Sequence, residues 1–110
     1  MELPHKAALM RIYTDESARS GSKSLFEAIV LKARDQGLAG ATVLRGPMGF
    51  GHSRRIQNAS ILNLSGSLPL VIEIVDTDER LREFLGTLES MKDIGLVTLE
   101  KVEILHHGKE

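Results

Sequence analysis

Cysteine and tryptophan are missing from this sequence, and the only aromatic residues are one tyrosine and three phenylalanines in 110 residues. The lack of cysteine excludes disulfides, thiolate metal centres and a cysteine nucleophile. RNA recognition on a sheet would need exposed aromatics on the central strands, and only Tyr13 could serve. A large charge of either sign is lacking too. Fourteen Lys and Arg stand against fifteen Asp and Glu, for a formal net charge of -1, so no global field favours nucleic acid or an anionic membrane. No apolar run approaches the ~20 residues of a membrane span. Glu2 and Pro4 stand where a signal peptide would need a basic start and an apolar core. These absences predict a cytoplasmic protein with no nucleic-acid partner and no membrane insertion.

What is present suits one domain over residues 1–110, with hydrophobic residues at 42% and mostly aliphatic. A chain this long buries roughly two-thirds of the surface its unfolded form exposes. From Ala7 to Tyr13 the residues alternate, Ala8, Met10 and Ile12 on one face and Leu9, Arg11 and Tyr13 on the other, as in a strand. A polar turn region, Thr14 to Lys23, leads to Ser24, which with Glu27 fits a capping box opening a helix. The helix has Phe26, Ile29, Val30 and Ala33 as its apolar stripe, with Leu25 beside it, and Gly37-Leu38 closes it. Ala41 to Arg45 reads as a second strand.

The second half follows the same plan. Leu70 to Val75 is an apolar run interrupted by Glu73, which predicts a central strand in which Arg11 of the neighbouring strand partners the carboxylate. Thr77 is placed as an N-cap, with Asp78 and Glu79 in the first turn. Leu81, Phe84, Leu85, Leu88 and Met91 recur at helical spacing, and Gly95-Leu96 reads as a second Gly-Leu stop. Val97 to Leu105 is a last strand, whose change of apolar phase predicts a bulge or twist near Glu100 and Lys101. The order βαββαβ predicts an α+β, ferredoxin-like sandwich. Its four-stranded antiparallel sheet carries two helices on one face and a long loop between strands two and three. The other sheet face holds Leu9, Tyr13, Val71 and Val75, too apolar to be left in water, so oligomerisation is expected to cover it.

The long loop is the most informative stretch. Gly46, Gly49 and Gly51 lie within six positions, flanked by Arg45, Arg54 and Arg55. Backbone N–H groups in such turns approach an anion closely, while guanidinium groups supply charge and paired hydrogen bonds. The spacing is neither a Walker loop nor a dinucleotide fingerprint. A solvated hairpin tip is the plain alternative. Ile56, Ile61, Leu62 and Leu64 make the second half of the loop apolar, which points to partial ordering or to a docking surface. His52 lies in the basic stretch, and His106 and His107 near Glu103 read as a frayed tail rather than a chelate. Asp15, Glu16, Asp76, Asp78 and Glu79 read as turn and helix-start residues. With no nucleophile, base and acid in a recognised arrangement, no catalytic residues and no metal ligands are assigned, and an enzyme is not expected.

Three segments carry a resemblance. Leu38-Ala39-Gly40-Ala41-Thr42-Val43-Leu44-Arg45-Gly46, then Gly49-Phe50-Gly51, then Leu68-Pro69-Leu70-Val71-Ile72-Glu73-Ile74-Val75-Asp76 resemble domain-of-unknown-function family 190, small PII-like proteins of the nitrogen regulatory PII superfamily. The resemblance implies a ferredoxin-like homotrimer with inward-facing sheets, ligand clefts between subunits, and a loop that engages transporters or enzymes, here Pro47 to Ser67. It makes an adenine nucleotide the candidate effector, on Arg45, Gly46, Gly49, Phe50, Gly51, His52, Arg54, Arg55 and Lys101. PII proteins also carry a modifiable loop tyrosine and a Gly-Asp-Gly-Lys type phosphate loop after the second helix. Here the only tyrosine is Tyr13 in strand one, Gly95-Leu96 stands at that turn, and Lys101 is the sole basic residue of the last strand. The trimeric CutA divalent-ion tolerance family shares the architecture and is the alternative, through His52, His106, His107 and nearby acids.

Overall fold

The computed structural model describes residues 5–51, 53–59 and 67–108. The elements run β1 (Lys6–Asp15), β2 (Arg19–Ser20), β3 (Lys23–Ser24), α1 (Leu25–Asp35), β4 (Ala41–Arg45), β5 (Met48–Gly49), β6 (Gln57–Asn58), β7 (Pro69–Asp76), α2 (Asp78–Leu88) and β8 (Val97–Glu103). The main sheet is antiparallel in the order β4-β7-β1-β8, and β2-β3 and β5-β6 are two-residue hairpins set on its connections. Among the described residues no helix is long and apolar enough to cross a membrane.

One sheet face carries the core. Ala8, Met10 and Ile12 of β1 and Ile72 and Ile74 of β7 pack with Leu25, Ile29 and Ala33 of α1 and with Leu81, Phe84 and Leu88 of α2, so both helices cover the same face. Burying an aliphatic or phenyl side chain of this size contributes about 1.5–3 kcal/mol. Among the described residues nothing covers the opposite face in this way. Leu9, Val71 and Val75 are half-buried there, and Tyr13 and Leu44 are exposed. The register pairs Leu44 with Val71 and Val71 with Tyr13, so these three side chains form one row across the sheet.

In the middle of that open face Arg11 stands opposite Glu73. Its Nε donates to Glu73 Oε2 at 3.0 Å and its Nη1 donates to Glu100 Oε1 of β8. Hydrogen bonding to Glu73 first, and to Glu100 second, holds the guanidinium even more firmly protonated than usual. The partner expected for Glu73 is therefore the one it has.

Helix capping follows the sequence at two ends out of four. Thr77 accepts the Arg80 N–H at 3.2 Å, as an N-cap should. At the end of α1, Gly37 has φ +73°, with Leu38 N–H donating to Ala33 O at 3.1 Å and Gly37 N–H to Arg34 O at 3.0 Å, the paired bonds of a Schellman cap. The capping box at Ser24 does not form: its side chain makes no cap bond, because Ser24 is paired with Arg19 in the β2-β3 hairpin and Leu25 N–H donates to Ala18 O at 2.8 Å. Nor does Gly95 stop α2, which ends at Leu88, and the left-handed backbone after it belongs to Asp93, φ 67°. Of the bulge or twist expected in β8, the bulge is absent. Its ladder with β1 runs unbroken from Lys6 and Glu103 to Ile12 and Val97. Val97 and Leu99 face the helices, whereas Val102 pairs with Ala7 on the other face and Lys101 is exposed.

Candidate functional site

The chain leaving β4 and the chain entering β7 are joined at Pro69. Gly46 N–H donates to Pro69 O at 2.8 Å. A Cβ on Gly46 or Gly49 would lie 3.3 or 3.2 Å from the Pro69 ring, so these glycines serve close approach. Met48 then pairs with Asn58 and Gly49 with Gln57, and Ala59 N–H donates to Pro47 O at 2.9 Å. The hairpin turns through Arg54, left-handed at φ 62°, whose N–H donates to Gly51 O at 2.8 Å. The Arg54 guanidinium sits over the Phe50 ring, 5.3 Å from its centre. Met48, Phe50 and Ile56 are exposed, as are Arg54 and Arg55, so the hairpin presents apolar and cationic groups together.

A polar knot fastens this loop to the end of β1. Asp15 Oδ1 accepts from Ser17 N–H at 2.9 Å, Ser17 Oγ at 2.7 Å, Ala18 N–H at 3.0 Å and Ser67 Oγ at 3.2 Å. Gln57 Nε2 donates to the same Ser67 Oγ at 3.4 Å. Glu16 is the second anchor. Its N–H donates to Leu68 O at 3.0 Å, its Oε1 accepts the Leu68 N–H at 3.0 Å, and its Oε2 lies 3.4 Å from Arg45 Nε.

Partial burial pushes the Asp15 carboxyl up, but the hydrogen bonds from Ser17, Ser67 and Ala18 outweigh it and hold the group below its ordinary value of 3.8. A depressed carboxyl stabilises the fold above its ordinary value and loses that contribution as pH falls through the folded one. Asp15→Asn should therefore be less stable than the parent at neutral pH. The difference should shrink as pH drops below 3.8, followed by urea unfolding across the acid range. A constant difference at all pH values would assign the loss to packing.

The structure brings Arg45, Gly46, Gly49, Phe50, Gly51, Arg54 and Arg55 to one end of the sheet, on the loop and its root. His52 lies outside the described residues, as do Ile61, Leu62 and Leu64. Lys101 is not part of this group within one chain. It pairs with Ala8, whereas Arg45 shares its row with Leu70 and Thr14. Thr14 and Ala8 are about 20 Å apart along β1 at the usual strand rise, and β8 and β4 are opposite edges of the sheet. Sequence reasoning missed Asp15, Glu16, Gln57 and Ser67, treating the two acids as turn residues. The signal was an acidic pair closing the strand that neighbours β7.

For metal binding, no group of three His, Cys, Asp or Glu side chains comes together among the described residues. His5 Nε2 lies 3.4 Å from Glu103 Oε2, and His106 and His107 are exposed beyond β8.

Comparison with known proteins adds the family. The DUF190 family, described as "Uncharacterized ACR, COG1993", matches residues 7–104, a span that includes both helices and the loop root. A UPF0166 protein of Aquifex aeolicus (strain VF5) is 37% identical over 101 residues, covering 92% of this chain and 95% of the relative. A second from the same organism is 37% identical over 100 residues, 90% and 97% of the two chains. A UPF0166 protein of Methanocaldococcus jannaschii is 33% identical over 95 residues, 86% and 87%. With the match extending through the loop root and both helices, this chain belongs to the DUF190 family, known as PII-like.

Proposed function

We propose that this chain is a cytoplasmic, PII-like regulatory protein of ferredoxin-like architecture, working as a homotrimer rather than as an enzyme. It binds a small anionic effector at the loop root, with an adenine nucleotide as the candidate, and uses the segment Pro47 to Ser67 to engage a transporter or enzyme. The observation that carries the reading is the loop root itself. Arg45 stands at the root next to Gly46, whose backbone closes on Pro69, Arg54 and Arg55 lie in the turn of the hairpin that grows from it, and the loop is tied to β1 by carboxylate-anchored hydrogen bonds that an anion could rearrange. Assembly is supported by the uncovered row of Leu44, Val71 and Tyr13 on the open sheet face. Lys101 reaches a loop root only from a neighbouring copy, which an intersubunit cleft would supply.

Binding shifts the loop only to the extent that the effector prefers one loop state over the other. Calorimetric titration with ATP tests the site. Replacing both Arg54 and Arg55 with alanine should weaken binding about ten-fold or more, since two charge-assisted contacts are lost, while light scattering shows the assembly unchanged. An unaltered affinity removes both arginines from the site. No heat from the parent protein removes the nucleotide.

A further inference from the structure

Glu16 bridges the two strands of the loop root with one carboxylate. One oxygen accepts the Leu68 N–H on the returning strand, at 3.0 Å, and the other faces Arg45 Nε on the outgoing strand, at 3.4 Å. The pair is lopsided: the Glu16 side chain is 29% exposed and that of Arg45 63%. The approach to Arg45, at Nε, is 3.4 Å, longer than the hydrogen bonds of a two-pronged carboxylate–guanidinium pair. Two hydrogen bonds with Leu68, one to the carboxylate and one from the Glu16 N–H, hold Glu16 on the inner side, while Arg45 is open to exchange from solvent.

We propose that Glu16 is an internal stand-in for the effector, occupying Arg45 until an external anion displaces it. The exchange does more than change partners. Once Arg45 turns to the incoming anion, the Glu16 carboxylate has lost its counter-charge and lies beside a second negative group. Its attachment to the Leu68 N–H is weakened by repulsion, and the returning strand loosens. Glu16 is thus a positioning residue that sets effector affinity and couples occupancy to the loop. This inference rests on the effector reading given above for Arg45, and its test separates the two.

Glu16→Gln keeps an oxygen for the Leu68 N–H and removes only the charge. ATP binding to this variant should be tighter than to the parent by about two- to five-fold, the factor an exposed ion pair is worth. A residue that merely packs would leave affinity unchanged or weaken it, and either result overturns the proposal. Hydrogen exchange without ligand supplies the independent arm. Both variants should speed exchange at the Leu68 amide, Glu16→Gln because a neutral oxygen is the weaker acceptor and Arg45→Gln because the carboxylate loses the counter-charge that helps to hold it. Parent-like exchange in both variants also overturns the proposal. If the parent binds no ATP but both variants speed exchange, the internal pair is upheld and the nucleotide reading alone fails.

Discussion

Asp76→Ala is expected to lower the unfolding free energy by about 3 kcal/mol or more, at neutral pH, in urea unfolding. Asp76 ends β7 and its side chain is 0% exposed. It accepts the Ala39 N–H at 2.9 Å, the Thr77 N–H at 2.7 Å and Arg80 Nη1 at 3.1 Å. Arg80 in turn donates through Nη2 to Gln36 O at 2.9 Å and Gly37 O at 3.0 Å, the carbonyls that close α1. A cation there also complements the dipole at the helix C-terminus. Alanine would strip two backbone donors of their acceptor, each costing about 1–3 kcal/mol, and remove the Asp76 carboxylate from the guanidinium. Water reaches Arg80, whose side chain is 29% exposed, which places the loss at the low end of the range for a broken buried pair. Asp76→Asn restores one acceptor without the charge and should recover part of the loss. A loss below about 1 kcal/mol for alanine would show that the cluster does not staple the fold.

Gly95→Ala should cost about 2–3 kcal/mol. A Cβ at this position would lie 2.6 Å from Tyr13 O, a backbone atom of the central strand with no room to swing away. The same carbonyl accepts the Gly95 N–H at 3.0 Å, and Tyr13 N–H donates to Leu96 O at 2.9 Å. The added methyl therefore strains the two bonds that extend the pairing of β1 beyond Val97. Gly51→Ala is the comparison, since among the described residues nothing lies within 4 Å of a Cβ there, and its effect should stay within about 0.5 kcal/mol. Equal losses at the two positions would show that backbone freedom, rather than the contact with Tyr13, decides the effect at Gly95.

Gly95 also marks how far the sequence could be read. Gly37 and Gly95 are both followed by leucine, and a local pattern cannot tell them apart. Gly37 takes the left-handed cap that its neighbours ask for, whereas Gly95 answers to a carbonyl from the start of the chain. Ser24 and Glu27 have the spacing of a capping box, but the β2-β3 hairpin holds Ser24 first. What was legible is what repeats along an element: the alternation of β1, the apolar stripe of α2, the Thr77 cap. The pairing of Arg11 with Glu73 was legible because a charge on a central strand needs an opposite charge on the adjacent one. At the candidate site the arginines and glycines stood out by composition. Asp15 and Glu16 did not, because their partners Ser67, Leu68 and Arg45 become neighbours only when β7 lies beside both β1 and β4.

The order of the sheet has a consequence for how the chain is made. β1 is flanked by β7 and β8, its partners from the second half of the sequence. A ribosome releasing the chain from its N-terminus exposes β1 with both hydrogen-bonding edges open until β7 and then β8 emerge. An apolar strand in that condition is a template for another nascent chain. The sequence distance between these strands also makes their pairing the slow part of folding. Arg11 and Lys6 on β1 set charge on that waiting edge, and charge is a common protection against premature pairing.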